Sequence, residues 1–175
     1  MISLAGKAAL ITGGSRGIGA ATVKLFAQAG ADVVFNFHRS KEAAAQVEQE
    51  ARKAVLVAGD IRDPAHCRSL VERAVDELGG VDILVNNAAH QATFDEIGEI
   101  SDEEWRMTFD VNIHAMFYLT KAAAPHMKPG SAIINTASVT SDMPNQTLLA
   151  YSTTKGAIQN FTGGLAQMLA ERACE

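Results

Sequence analysis

Apolar positions along the chain follow two alternating patterns. Five short runs are hydrophobic at nearly every position: "KAALIT" (7–12), "DVVFNF" (32–37), "AVLVAG" (54–59), "DILVNN" (82–87) and "SAIINTA" (131–137). Strands of this kind lose both faces to the interior, as in a parallel sheet covered on both sides. Between them lie longer stretches with helical spacing, near 17–29, 41–51, 64–77, 102–127 and 151–172. Two helix starts carry explicit signals. Asp63-Pro64 offers an N-cap followed by proline at the first helical position. Ser101 and Glu104 match a capping box, the serine capping and the glutamate reaching back. Strand–helix alternation of this kind predicts βαβ crossovers and an α/β, doubly wound parallel sheet.

The length of 175 residues suits a single domain spanning 1–175. A net charge of −5 with no Lys/Arg run argues against a nucleic-acid or membrane-surface partner. No stretch of about 18 apolar residues suggests a membrane span, and "MISLAGKAALITGG" lacks the pattern of a signal peptide. Cys67 and Cys174 are far apart and without ligand spacing, so a reduced, cytoplasmic setting is expected. His38, His66, His90, His114 and His126 are scattered, and no metal site is expected. His90 and Gln91 follow the fourth strand and read as a solvent-exposed loop rather than substrate contacts. Trp105, Met107, Phe109, Met116 and Phe117 read as core or helix-packing residues.

Candidate chemistry begins directly after the first strand. Gly13, Gly17 and Gly19 make a G-x-x-x-G-x-G loop that opens a helix. Glycines there permit a tight turn and close backbone approach, and a helix N-terminus presents free N–H groups to a pyrophosphate. The competing reading is a merely structural turn. An NAD site would place a carboxylate at the end of the second strand. This sequence has His38 and Arg39 there instead, with Arg16 inside the glycine loop. Two guanidinium groups suit a 2′-phosphate that a carboxylate would repel, which favours NADP(H) over NAD(H). A solvated Arg39 is the alternative.

Tyr151 and Lys155 stand four residues apart, on one face of the last helix. A free phenol titrates near pH 10, and a neighbouring ammonium lowers that value toward the range useful for proton transfer. Ser138 follows the fifth strand, at the sheet end where open α/β folds bind ligands. Its hydroxyl can hold a substrate oxygen while the tyrosine exchanges a proton. A Y-x-x-x-K spacing is common by chance; the glycine loop and the upstream serine give it weight.

Together, "TGGSRGIG" (12–19), "GDI" (59–61), "NNAA" (86–89), "VN" (111–112), Ser138 and "YSTTK" (151–155) resemble the short-chain dehydrogenase/reductase family through essentially the whole chain. The resemblance implies a three-layer Rossmann fold with strands ordered 3-2-1-4-5. It implies that Ser15 and Ile18 join the glycine loop at the cofactor, that Asp60 and Ile61 hold the adenine, and that Asn86 and Ala88 line the cleft. Asn112 becomes a fourth catalytic member, its helix holding a water that relays protons from Lys155. Lys155 would also bind the nicotinamide ribose. Alanine at 89 replaces the family's usual glycine, a mild departure. The 128–172 segment is similar to that of 3-oxoacyl-carrier-protein reductases, which makes a 3-oxoacyl thioester one candidate among carbonyl and alcohol substrates.

The resemblance also implies a homodimer or homotetramer through the 102–127 and 151–172 helices. Gly163 and Gly164 interrupt the second of these at about 1 kcal/mol each relative to alanine, which close helix packing would explain. Family members continue past such a helix with sixth and seventh strands and a substrate-covering segment; here the expectation is a chain lacking them. That expectation leaves "SAIINTA" as an apolar edge strand. It also keeps open a second reading, a non-catalytic nucleotide-binding fragment without a substrate wall.

Overall fold

The computed structural model describes residues 3–170. Five parallel strands, β1 (Ala8–Ile11), β2 (Asp32–Phe37), β3 (Ala54–Ala58), β4 (Ile83–Asn86) and β5 (Ala132–Asn135), form one sheet in the order β3-β2-β1-β4-β5. The expected order and all five strands are present. β1 sits at the centre, pairing Leu10 with Val34 on one side and with Leu84 on the other. All four of its residues are buried.

Alternate side chains of each strand feed two separate cores, as the period of two requires. Leu10, Val34 and Leu84 face α3 (Pro64–Leu78) and the helix covering Leu119. Ala9, Ile11, Val33, Phe35 and Val85 face α1 (Gly17–Gln28) and α2 (Lys41–Glu50). Three layers follow directly: helices, sheet, helices. β5 is the thin place. Among the described residues it pairs only with β4, and Ile134 is 46% exposed.

The helix expected over 102–127 is not continuous. α4 (Asp102–Phe109) passes into a π-helical turn over Asp110–His114, then α5 (Ala115–Ala123), then a 3-10 turn over Ala124–His126 containing Pro125. Proline cannot supply the next helical N–H, which explains the tightened end. A π turn inserts one extra residue and frequently marks a functional site; here it carries Asn112. The last helix, α6, spans Leu149–Leu169. The end of the expected 151–172 helix and Cys174 lie outside the described residues. No helix among the described residues is long and apolar enough to cross a membrane.

Local capping signals hold at α3. Asp63 accepts a hydrogen bond from the Ala65 N–H at 2.8 Å, Pro64 occupies the first turn, and Gly79 closes the helix in the left-handed region. Replacing Asp63 with alanine removes this cap and is expected to cost about 1 kcal/mol. For a chain of this size that lowers the Tm by roughly 2–4 °C. An unchanged Tm would show that the cap carries no weight.

Candidate active site

Two strand ends and a glycine loop build the cleft. Thr12 stands at the end of β1, and its hydroxyl accepts the N–H groups of Asn87 (3.0 Å) and Ala88 (3.1 Å) just beyond β4. Asn87 returns a bond, its Nδ2 donating to the Thr12 carbonyl at 3.0 Å. Against this joint the glycine loop lies so close that side chains do not fit. A Cβ on Gly19 would fall 2.1 Å from the Gly13 carbonyl oxygen, and one on Gly13 would fall 2.9 Å from the Ala88 Cα. Gly13 and Gly17 also adopt positive φ, at +69° and +55°.

The resulting cleft has a volume of about 570 Å³. Gly13, Ser15, Arg16, Gly17, Ile18 and Gly19 form one wall, and Asn36 to Ser40 and Gly59 to Arg62 close the end over β2 and β3. Asn87, Ala88, Ala89, His90, Met107 and Val111 form the other wall. No side chain caps the start of α1, so its first N–H groups open on the cleft. Both Arg16 and Arg39 are exposed in its lining. Neither guanidinium group has a hydrogen-bond or ion-pair partner among the described residues. That uncommitted pair, the helix N-terminus and the glycine loop fit an anionic dinucleotide.

Two expected positions, Asn86 and Met107, need correction. Asn86 is buried and points its amide at Thr120 (3.4 Å) and Asn135 (2.9 Å); Asn87 lines the cleft in its place. One residue decides this, because neighbouring strand residues face opposite ways. His38 lines the cleft but also lies 3.7 Å from the Asp60 carboxylate. Asp60 is chiefly held by Arg62, whose Nη2 donates at 2.6 Å and Nε at 2.9 Å. The side-chain hydrogen bond from Arg62 holds the Asp60 carboxyl down at about 2, against a burial effect in the other direction. Arg62, unforeseen from the sequence, also reaches the Met107 sulfur. Met107 is therefore cleft wall rather than helix packing. Trp105, 38% exposed, packs on the Phe109 ring at 4.9 Å, and Phe117, 46% exposed, lies 5.8 Å from the Tyr118 ring, so both are helix-packing rather than core positions.

Beyond the cleft lies a second cluster. Tyr151 and Lys155 share one face of α6, with the Lys155 Nζ 5.3 Å from the centre of the tyrosyl ring. Lys155 is 2% exposed, and its Nζ donates to the Thr136 carbonyl at 2.6 Å, just after β5. Burial pulls the amine down from its ordinary 10.5 to about 8. Ser138 caps the turn over Val139–Ser141, its Oγ accepting the Thr140 N–H at 3.2 Å and the Thr140 hydroxyl at 3.0 Å. That turn packs against α6.

Asn112, 3% exposed, joins the two clusters. Its Oδ1 accepts the His90 N–H at 2.7 Å, and its Nδ2 donates to the His90 carbonyl and to Thr154 Oγ1, both at 3.0 Å. His90 is correspondingly fixed rather than loose: its Nε2 lies 2.7 Å from Glu104 Oε1. Ser101 does cap α4, accepting the Glu104 N–H at 3.1 Å, but the Glu104 carboxylate turns to His90 and not back to the cap.

The buried amine makes a pH prediction. The folded chain releases the Lys155 proton near pH 8, whereas the unfolded chain keeps it to about 10.5. Its buried charge therefore opposes folding in full below about pH 8, and the opposition fades as pH rises toward 10.5. The Tm of the wild type, relative to that of Lys155→Met, should rise between about pH 7 and about pH 10. Parallel Tm profiles would contradict this.

Residues 7–174 match the family profile described as short chain dehydrogenase. The chain is 49% identical over 173 residues to the uncharacterized oxidoreductase YhxC of Bacillus subtilis (strain 168), covering 97% of this chain and 61% of that protein. It is 40% identical over 179 residues to NADPH-dependent aldehyde reductase 1, chloroplastic, of Arabidopsis thaliana, covering 97% and 62%. A crystal structure of a short chain dehydrogenase from Burkholderia cenocepacia J2315 in complex with NADP is similar with a TM-score of 0.92 at 36% identity, covering 98% of this chain and 71% of that one. The chain thus spans about three fifths of the length of these curated relatives. With the profile matched across nearly all of its length, the chain belongs to the short chain dehydrogenase family.

Proposed function

We propose that the protein is an NADP(H)-dependent oxidoreductase acting between a carbonyl and a secondary alcohol. The observation that carries the reading is the Tyr151–Lys155 pair beside a cleft shaped for an anionic dinucleotide. When bound, the nicotinamide supplies or accepts the hydride. The chain's own residues do the rest. Arg16 and Arg39 pair the 2′-phosphate, with His38 beside them, while Ser15, Ile18 and the glycines receive the pyrophosphate. Ile61 and Asp60 flank the adenine, and Ala88 lines the wall between the two ends. Ser138 holds the substrate oxygen, Tyr151 donates a proton to it or takes one away, and Lys155 holds the ribose and steadies the phenol. Asn112 fixes the π turn whose backbone holds a relay water. The NADPH-dependent Arabidopsis reductase and the NADP-bound Burkholderia structure support this choice of cofactor. A 3-oxoacyl thioester is one substrate class for the test panel.

A second reading is a nucleotide-binding module without turnover. One observation favours it: Ser138, Tyr151 and Lys155 are not among the residues lining the 570 Å³ cleft. Turnover separates the two. With NADPH and a panel of ketones, aldehydes and 3-oxoacyl thioesters, absorbance of the reduced cofactor should fall. Tyr151→Phe should slow this by at least about a hundredfold, the scale of acid–base catalysis. NADPH should outperform NADH, and Arg16→Ala with Arg39→Ala should erase that preference. Tight NADPH binding without turnover on any substrate supports the module, and a preference for NADH overturns the cofactor assignment.

We also propose self-association through α4, α5 and α6. A Cβ at Gly163 or Gly164 would meet nothing within 4 Å among the described residues. A side chain at Gly163 therefore starts out into open space among the described residues, where a packed neighbour would meet it. Sedimentation of Gly163→Leu should show a shift toward monomer; an unchanged oligomer would remove α6 from the interface.

A further inference from the structure

The side chain of Glu104 leaves the helix start it was expected to cap and takes His90. That choice has a consequence for the cluster around Tyr151. His90 lies in a stretch, residues 87–94, with neither helix nor strand. In such a loop the backbone is held only by specific partners. His90 has three: Asn112 takes its N–H and its carbonyl, and Glu104 takes its ring at 2.7 Å. The two anchors sit eight residues apart, one on α4 and one in the π turn that follows it.

We propose that the His90–Glu104 pair is a positioning device for the reaction, locking the loop after β4 so that the Asn112 amide stays oriented between loop and helix. The inference rests on the oxidoreductase reading above. The Asn112 amide is fully committed, its oxygen to His90 and its nitrogen to His90 and Thr154. Thr154, 0% exposed, in turn donates to the Tyr151 carbonyl at 2.7 Å. One continuous chain of hydrogen bonds therefore runs from Glu104 through His90, Asn112 and Thr154 to the backbone of the tyrosine. The one Thr108 hydroxyl proton is shared between the Glu104 carbonyl at 3.0 Å and the same Oε1 at 3.2 Å. The pair is partly shielded, with side chains 32% and 22% exposed. It is a short hydrogen-bonded contact rather than a solvent-separated surface pair. Displacement of catalytic groups by even an ångström is costly in rate, and this contact adds a side-chain tie from α4 to the backbone bonds that Asn112 makes to the loop.

The test uses Glu104→Ala, His90→Ala, Glu104→Gln and the double alanine variant of the full chain. Three quantities are read: kcat on a substrate whose turnover Tyr151→Phe abolishes, the Kd for NADPH by nicotinamide fluorescence, and hydrogen exchange at the His90 amide. Each alanine variant should lose between about tenfold and a hundredfold in kcat, with faster exchange at the residue 90 amide; in Glu104→Ala, which lies outside the cleft lining, NADPH affinity should stay nearly unchanged. Glu104→Gln, whose amide oxygen still accepts from the imidazole, should recover most of the loss. The double variant should be no worse than the poorer single, as for two members of one contact. Wild-type kcat in the single variants, or losses that add in the double variant, overturns the proposal. Should the wild type show no turnover that depends on Tyr151, the oxidoreductase reading falls. The His90 exchange rate then decides the pair alone, and an unchanged rate in Glu104→Ala rejects it.

Discussion

Thr12 is the joint on which the site depends. Its hydroxyl takes two backbone N–H groups from the segment after β4, while its own carbonyl takes the Asn87 amide. The ends of the two central strands are thereby held at one spacing, and the glycine loop is pressed into the angle between them. Gly19 against the Gly13 carbonyl leaves no room for a methyl group. Shape follows from this constraint: at its glycines the loop backbone itself becomes the floor of the cleft, and α1 begins where a negative charge would rest. Hydrophobic burial stabilises the sheet, but the polar joint sets where its ends stand.

Much of this was legible in the sequence because it is local. Five apolar runs gave five strands, and the Asp63-Pro64 and Ser101 signals marked real helix starts. The glycines announced a loop that only glycine can make. What escaped was non-local or a matter of one residue. Periodicity runs straight through 102–127, so the π turn at Asp110–His114, in which Asn112 bonds His90 and Thr154, left no mark. The S-x-x-E signature was only half used, because an imidazole fourteen residues upstream competed for the carboxylate. Asn86 and Asn87 are indistinguishable as letters, yet the pleat sends one to β5 and the other to the cleft. Arg62 could not be assigned to Asp60 from spacing alone.

Lys155 shows the same limit in electrostatic form. As a letter four places after a tyrosine it suggests an ammonium in reach of a phenol. In the fold it is almost fully enclosed, with the Thr136 carbonyl as its hydrogen-bond acceptor, and burial brings its amine to about 8. Enclosure costs stability near neutral pH and places a proton-exchanging group close to the working range. Functional sites commonly combine these two features. The route from Thr12 through Ala88 and His90 to Asn112 and α6 then links the glycine-loop cleft to the Tyr151–Lys155 cluster.

The central claim is spatial: one dinucleotide extends from the arginines at Arg16 and Arg39, past Thr12, to Tyr151 and Lys155. A crystal structure with NADPH bound tests it most directly. The account predicts the 2′-phosphate against both guanidinium groups and the nicotinamide ribose within hydrogen-bonding distance of Lys155. A well-ordered nicotinamide directed away from α6 would contradict it.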